Sequence, residues 1–236
     1  LKSRKVIIGY DRRFLASEMA EAVASAVRGC ELEPFLTETP VTTPACSFAV
    51  VKDKALGALV ITASHNPPEW LGLKIKGPLG CSVEEDFTKA VENRLEVGGA
   101  TIPREGLTKR FNCRKAHLDA LRTKFDIPAI VCGLKALKMS LIIDPMHGSA
   151  AGCISELLGE DAHGLVKEIR TGRDPLFGGN PPEPLEKYIS GLIGMIKSSF
   201  KQGENSLGLV FDGDGDRIAA IDEEGNYCST QVLIPL

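Results

Sequence analysis

Cysteine pairs, long apolar runs and excess positive charge are what this sequence lacks, and it has a single tryptophan. Its seven cysteines, Cys30, Cys46, Cys81, Cys113, Cys132, Cys153 and Cys228, are scattered, odd in number and never in a CxxC pair. That argues against a disulfide framework or a zinc ribbon and for a reducing compartment. No apolar stretch approaches the roughly 20 residues needed to cross a bilayer, and the apolar part of LKSRKVIIGY is too short for a secretory signal. A cytoplasmic or stromal protein, with no membrane partner, is therefore expected. Lysine and arginine number 28 against 31 aspartate and glutamate, and the formal net charge is -3. Such a balance carries no footprint for nucleic acid, and an anionic small molecule would need a local cationic site. Oligomeric state leaves no trace in the sequence. The first residue is Leu and the last segment is QVLIPL, which reads as a piece of a longer chain.

What remains is an ordinary globular composition, 43% hydrophobic and 25% charged, over a length that suits two modest domains. Short β-rich runs alternate with amphipathic helices. KVIIGY, LEPFLT, ALGALVIT and GLKIKG read as strands; SEMAEAVASAVRG and TPACSFAVVK read as helices. SVEEDFTKAVENRLE opens with a capping box, Ser82 with Glu85, and repeats Phe87, Val91 and Leu95 on one face. KAHLDALRTKFDI is expected to be a connecting helix ended by Pro128. After it SLIID, SAAGCISELLG, GLVKEI, PLEKYISGLIGMIKSSF and LGLVF repeat the alternation, and RIAAID, EEGN and YCST form a hairpin. The fold class is α/β: two α/β domains with mixed sheets, residues 1–135 and 136–236.

Chemistry concentrates at two strand ends. After LGLVF comes Asp212-Gly213-Asp214-Gly215-Asp216-Arg217. Glycines between the acids let the backbone curl until three carboxylates face one point, where they repel unless a cation lies between them. An all-oxygen donor set favours Mg²⁺ or Ca²⁺. An EF-hand is excluded because Arg217 stands where its glycine is needed, and a dinucleotide fingerprint because GxGxxG would end on Ile218. An Asp/Gly surface turn is the plain alternative.

The second place is Thr62-Ala63-Ser64-His65-Asn66-Pro67-Pro68, after ALGALVI. A serine stiffened by Pro67 can be presented in a defined pose, but its hydroxyl needs a base or an electrophile; His65, Lys74 or a metal ion could serve. Taken alone, SHNPP is an ordinary proline-ended turn.

Together the two make sense if the serine carries a phosphate that completes a metal shell. ITASHNPP and FDGDGDR resemble the phosphoserine and metal loops of the α-D-phosphohexomutase superfamily, the phosphoglucomutases and phosphomannomutases. GYDRRFLAS, GLKIKG, DPMHGSAAG and RDPLFGGNPPEPL also resemble family segments, in the family's order, with LGLK and LFGG most like cyanobacterial or related members.

The resemblance implies that Ser64 holds the phosphoryl group and that Asp212, Asp214 and Asp216 bind Mg²⁺ with one phosphate oxygen. Arg217 would steady phosphate, and Arg13 and Lys74 would match cationic active-site positions, with His65 and Lys74 handling protons. Hexose 1-phosphate and hexose 6-phosphate would interconvert through a hexose 1,6-bisphosphate. Leu71 in EWLGLK stands where many members carry Asn. The resemblance also implies that the family's third and fourth domains, which read the sugar and grip the distal phosphate, lie outside this chain, so that it is inactive alone. Two rivals are a haloacid-dehalogenase-like phosphotransferase using Asp212 as nucleophile, and a non-catalytic metal- or sugar-phosphate-binding fragment.

Overall fold

The computed structural model describes residues 3–97, 103–233 and 235. It divides into two compact units: one of Leu1–Asp11, Leu15–Thr62 and Leu71–His117, the other of Arg12–Phe14, Ala63–Trp70 and Leu118–Leu236. Each holds a five-stranded mixed sheet.

In the first unit the elements run β1 (Lys5–Tyr10), α1 (Ala16–Gly29), β2 (Glu33–Thr37), α2 (Thr43–Lys52), β3 (Gly57–Ile61), β4 (Leu73–Lys76), α3 (Glu85–Val97) and β5 (Lys109–Phe111). The strand order is β4-β3-β1-β2-β5. All neighbours are parallel except β3 and β4. β1 lies at the centre and is apolar on both faces, as a strand covered twice must be. Ile7 packs with Val41, Ala45, Ala49 and Val50 on the α2 side. Val6, Ile8 and Tyr10 pack with Ala16, Ala20, Ala24 and Val27 of α1. Ile7 and Ile8 are fully buried, each contributing about 1.5–3 kcal/mol.

α4 (Cys113–Lys124) carries the chain from one unit to the other. The second unit continues with α5 (Ile127–Ala136), β6 (Met139–Asp144), α6 (Cys153–Leu158), β7 (Val166–Glu168), α7 (Ser190–Lys201), β8 (Asn205–Phe211), β9 (Ile218–Ile221), β10 (Tyr227–Cys228) and α8 (Thr230–Leu233). Its order is β10-β9-β8-β6-β7, with β7, β6 and β8 parallel and β9 and β10 antiparallel. Leu192 and Ile196 of α7 pack against Ile142, Val210 and Ile221.

Three local expectations fail. α3 starts at Glu85, and Ser82 does not cap it: Ser82 bridges Lys76 and its hydroxyl accepts a hydrogen bond from Lys76 Nζ at 3.0 Å. The pull of β4 on that segment outcompetes the cap. The stripe on α3 stays largely outside, with Phe87 52% and Leu95 78% exposed. Pro128 does not end a helix but lies in the first turn of α5, where its missing N–H costs nothing, and Asp126 caps that turn through the amide of Ala129 at 3.0 Å. β5 was not foreseen, because KRF is too short and too charged to show a period.

Candidate active site

The loops that matter leave the carboxyl ends of parallel strands, where open α/β sheets collect their ligands. Arg13 follows β1, Ser64 follows β3, Gly148 follows β6, Phe177 follows β7 and Asp212 follows β8. The segments Arg12–Phe14 and Ala63–Trp70 pack with the second unit, so Ser64 and the three aspartates belong to one body.

Ser64 is 7% exposed and has a left-handed backbone, with φ of 55°. For a non-glycine residue that conformation costs about 1–2 kcal/mol, and it persists where neighbours enforce it. Its Oγ donates to Asp212 Oδ2 at 3.0 Å. The other oxygen, Asp212 Oδ1, accepts from the amides of Asp216 at 3.0 Å and Arg217 at 3.1 Å. Asp212 and Asp214 are fully buried and Asp216 is exposed, and ligand-type oxygens of the three lie within 4.8 Å of one another. Burial, then the charges of Asp214 and Asp216, push the Asp212 carboxyl up to about 7, against the pull of the Arg217 amide. Three carboxylates converging on one point fit a hard divalent cation; Asp212, Asp214 and Asp216 would hold it, and it would supply positive charge beside Ser64 Oγ.

Close backbone contact locks the two loops. A β-carbon on Gly213 would sit 2.6 Å from the Ser64 carbonyl oxygen, and one on Gly148 would sit 2.7 Å from the Gly213 carbonyl oxygen. The Gly213 amide donates to Pro182 O at 3.2 Å, and its carbonyl accepts from the Ser149 amide at 3.0 Å. The DPMHG and RDPLFGGNPPEPL segments thus pack directly against the serine and acid loops. Their own anchor is the pair of buried Asp144 with Arg170, whose Nε donates to Asp144 Oδ1 at 2.8 Å.

The remaining candidates are spread more widely. Arg13 is 1% exposed, with both terminal nitrogens directed at main-chain carbonyls: Nη1 to Pro67 at 2.7 Å and Trp70 at 3.1 Å, Nη2 to Ser64 at 2.7 Å and Asn66 at 2.8 Å. His65 is half-buried in the serine loop. Arg217 is exposed and lies 3.9 Å from Glu183. Lys74 belongs to the first unit, on β4 opposite Val60. Sequence reasoning assigned no role to Gly148, Asp144, Arg170, Phe177 or Arg173; for all but Arg170 the signals were the family resemblance of DPMHGSAAG and RDPLFGGNPPEPL and their Gly and Pro content.

A buried serine hydroxyl hydrogen-bonded into a cluster of three carboxylates, on loops that leave strand ends, has the make-up of an enzyme site in an α/β protein. Residues 1–100 match the model for phosphoglucomutase/phosphomannomutase alpha/beta/alpha domain I, and residues 115–225 that for domain II. The chain belongs to this phosphohexomutase superfamily and corresponds to its N-terminal half. It is 27% identical over 227 residues to a phosphoglucomutase/phosphomannomutase of Thermococcus kodakarensis, covering 94% of this chain and 47% of that protein. It is 30% identical to a phosphoglucosamine mutase of Methanococcus maripaludis, covering 98% and 50%. A solved structure from Thermus thermophilus, assigned as a phosphomannomutase, superposes with a TM-score of 0.80 at 34% identity, covering 94% and 49%. The chain spans about half the length of the curated relatives it matches.

Proposed function

We propose that this chain carries the phosphoserine half of a mutase that interconverts hexose 1-phosphate and hexose 6-phosphate, with Ser64 as the phosphoryl carrier. The observation behind this reading is the 3.0 Å hydrogen bond from Ser64 Oγ to Asp212 within the three-aspartate cluster. Phosphoryl transfer is mostly positioning and charge neutralisation, and a rigid serine beside a cation cage offers both.

In this reading phospho-Ser64 gives its phosphoryl group to a free hydroxyl of a hexose monophosphate. The Ser64 oxygen leaves as alkoxide and takes the proton that the sugar hydroxyl releases, through His65 or Lys74. The product is a hexose 1,6-bisphosphate. Return of its other phosphoryl group to Ser64 yields the isomer with no net loss of phosphate. Mg²⁺, held by Asp212, Asp214 and Asp216, would offset charge on the transferring group, and Arg217 would steady it. The names of the relatives span phosphoglucomutase, phosphomannomutase and phosphoglucosamine mutase, so the sugar is proposed as a hexose phosphate of that group. Because half of the relatives' length has no counterpart here, the chain alone is expected to accept phosphate on Ser64 with little turnover. The aspartyl-nucleophile reading, in which Asp212 attacks phosphorus, is the alternative that the test separates.

The test is phosphopeptide mass spectrometry after incubation with Mg²⁺ and a hexose 1,6-bisphosphate. Phosphate on Ser64, stable to hydroxylamine and absent from Ser64→Ala, is the expected result. A hydroxylamine-labile phosphate on Asp212 would replace this reading with the haloacid-dehalogenase one.

A further inference from the structure

By resemblance Arg13 matches a cationic position of the family active site, yet its guanidinium is sealed inside the protein. Its two terminal nitrogens collect four carbonyl oxygens from a seven-residue stretch, Ser64, Asn66, Pro67 and Trp70, all between 2.7 and 3.1 Å. A planar fork with five fixed donors can organise an irregular turn in this way; an ammonium, with three donors on one point, cannot reach four acceptors spread along it. The arginine is itself held. Its guanidinium carbon lies 5.0 Å from the centre of the Phe177 ring, its carbonyl accepts from Arg173 Nη2 at 3.0 Å, and neighbouring Arg12 donates to Thr171 O at 2.6 Å. The segment from Thr171 to Phe177 therefore grips Arg12 and Arg13, and Arg13 grips the serine loop.

We infer that Arg13 is a positioning residue: it holds the Ser64 backbone in its left-handed conformation, with Oγ on Asp212, and Phe177 and Arg173 hold Arg13. Ser64 pays for its φ of 55° through the bonds its own and following carbonyls make to one cation. Hydrogen bonds to a charged group are about twice as strong as neutral ones, and four of them outweigh that strain. The single tryptophan of the chain, Trp70, sits at the far end of the clamp with 60% of its surface exposed, so the loop carries its own spectroscopic reporter.

The proposal has one arm that rests on the phosphoserine reading and one that does not. Independent of it, Arg13→Ala, Arg13→Lys and Phe177→Leu are compared with the unaltered chain by hydrogen exchange of residues 63–70 and by Trp70 emission. Both Arg13 variants should exchange in this segment about tenfold faster or more, the equivalent of losing one charge-assisted hydrogen bond, with Trp70 emission moving to the red. Phe177→Leu should change both in the same direction by less. Protection in β6 and β8 should stay as it was. Propylguanidinium should restore Arg13→Ala, and propylammonium should not. The dependent arm is the rate of phosphate uptake by Ser64 from hexose 1,6-bisphosphate, expected to fall on the order of a hundredfold in Arg13→Ala, as for a reacting group misplaced by about 1 Å. Loop exchange unchanged in the folded variants overturns the clamp. Faster exchange with undiminished uptake overturns the positioning role. If Arg13→Ala loses protection throughout β6 and β8, the lysine and Phe177 variants decide. If the unaltered chain takes up no phosphate, the phosphoserine reading fails and the exchange arm still decides the clamp.

Discussion

A β-carbon built on Gly213 would lie 2.6 Å from the carbonyl oxygen of Ser64 and 2.9 Å from Pro182 Cγ. Neither neighbour is the free end of a flexible chain, so Gly213→Ala must push the acid loop off the serine loop. The expected cost is about 1–3 kcal/mol, as for other overpacked sites, read as a lowered urea midpoint together with slower phosphate uptake on Ser64. A variant with unchanged stability and unchanged uptake would mean that the two loops are not locked through this contact. The same residue marks the limit of what the sequence discloses. Alternation of Asp and Gly after an apolar strand announced converging carboxylates, because charge repulsion makes that pattern costly without a cation. It did not announce that one glycine serves the curl and another the close approach to Ser64. Nor did it disclose the four acceptors of Arg13, since main-chain carbonyls carry no side-chain signature.

Elements were legible where one force dominated. The apolar strands β1, β3, β6 and β8, and helices α1 and α2, followed from periodicity because each buries a face against a sheet. The capping box at Ser82 failed because a cap worth about 1 kcal/mol competed with pairing to β4 at Lys76. The boundary expected near residue 136 and the compact division at His117 and Leu118 bracket α5 and most of α4, a helical stretch in which no loop composition marks a border. Asp126 does cap α5, and Asp126→Ala should destabilise the second unit by about 1 kcal/mol, seen by denaturant unfolding, whereas Ser82→Ala should leave the start of α3 intact.

The turn after Arg173 offers a pH test at the same scale. The amides of Leu176 and Gly178, in that order of effect, hold the Asp174 carboxyl below its ordinary value, each donating to it at 2.9 Å. A carboxylate depressed on folding contributes stability above its unfolded value, near 3.9, and that contribution is lost as pH falls through the lower folded value. Acidification should therefore open residues 174–179 before the strands, with Leu176 and Gly178 amides losing protection together as the carboxyl titrates in a carbon-detected NMR experiment. An Asp174 that titrates at or above 3.9 would contradict the turn as described.

At the scale of the whole molecule, the two units have separate cores, and a ligand stabilises only what it binds. A cation held by Asp212, Asp214 and Asp216 should therefore act on the second unit. A ligand at about a hundred times its dissociation constant adds about 2.7 kcal/mol to the state that binds it, so Mg²⁺ should slow hydrogen exchange across β8, β9 and residues 212–217, and leave β1 and β2 at their original rates. Chelation should return the metal-bound rates to those of the untreated protein, and Asp214→Asn should remove the effect, because its carboxylate is fully buried in the cluster. A uniform slowing across both sheets would indicate a non-specific salt effect, and none at all would leave the three acids as a turn. The Ser64→Ala variant separates the cation from the phosphoryl chemistry: the aspartates persist in it, so the exchange response to Mg²⁺ should survive while phosphate uptake is lost.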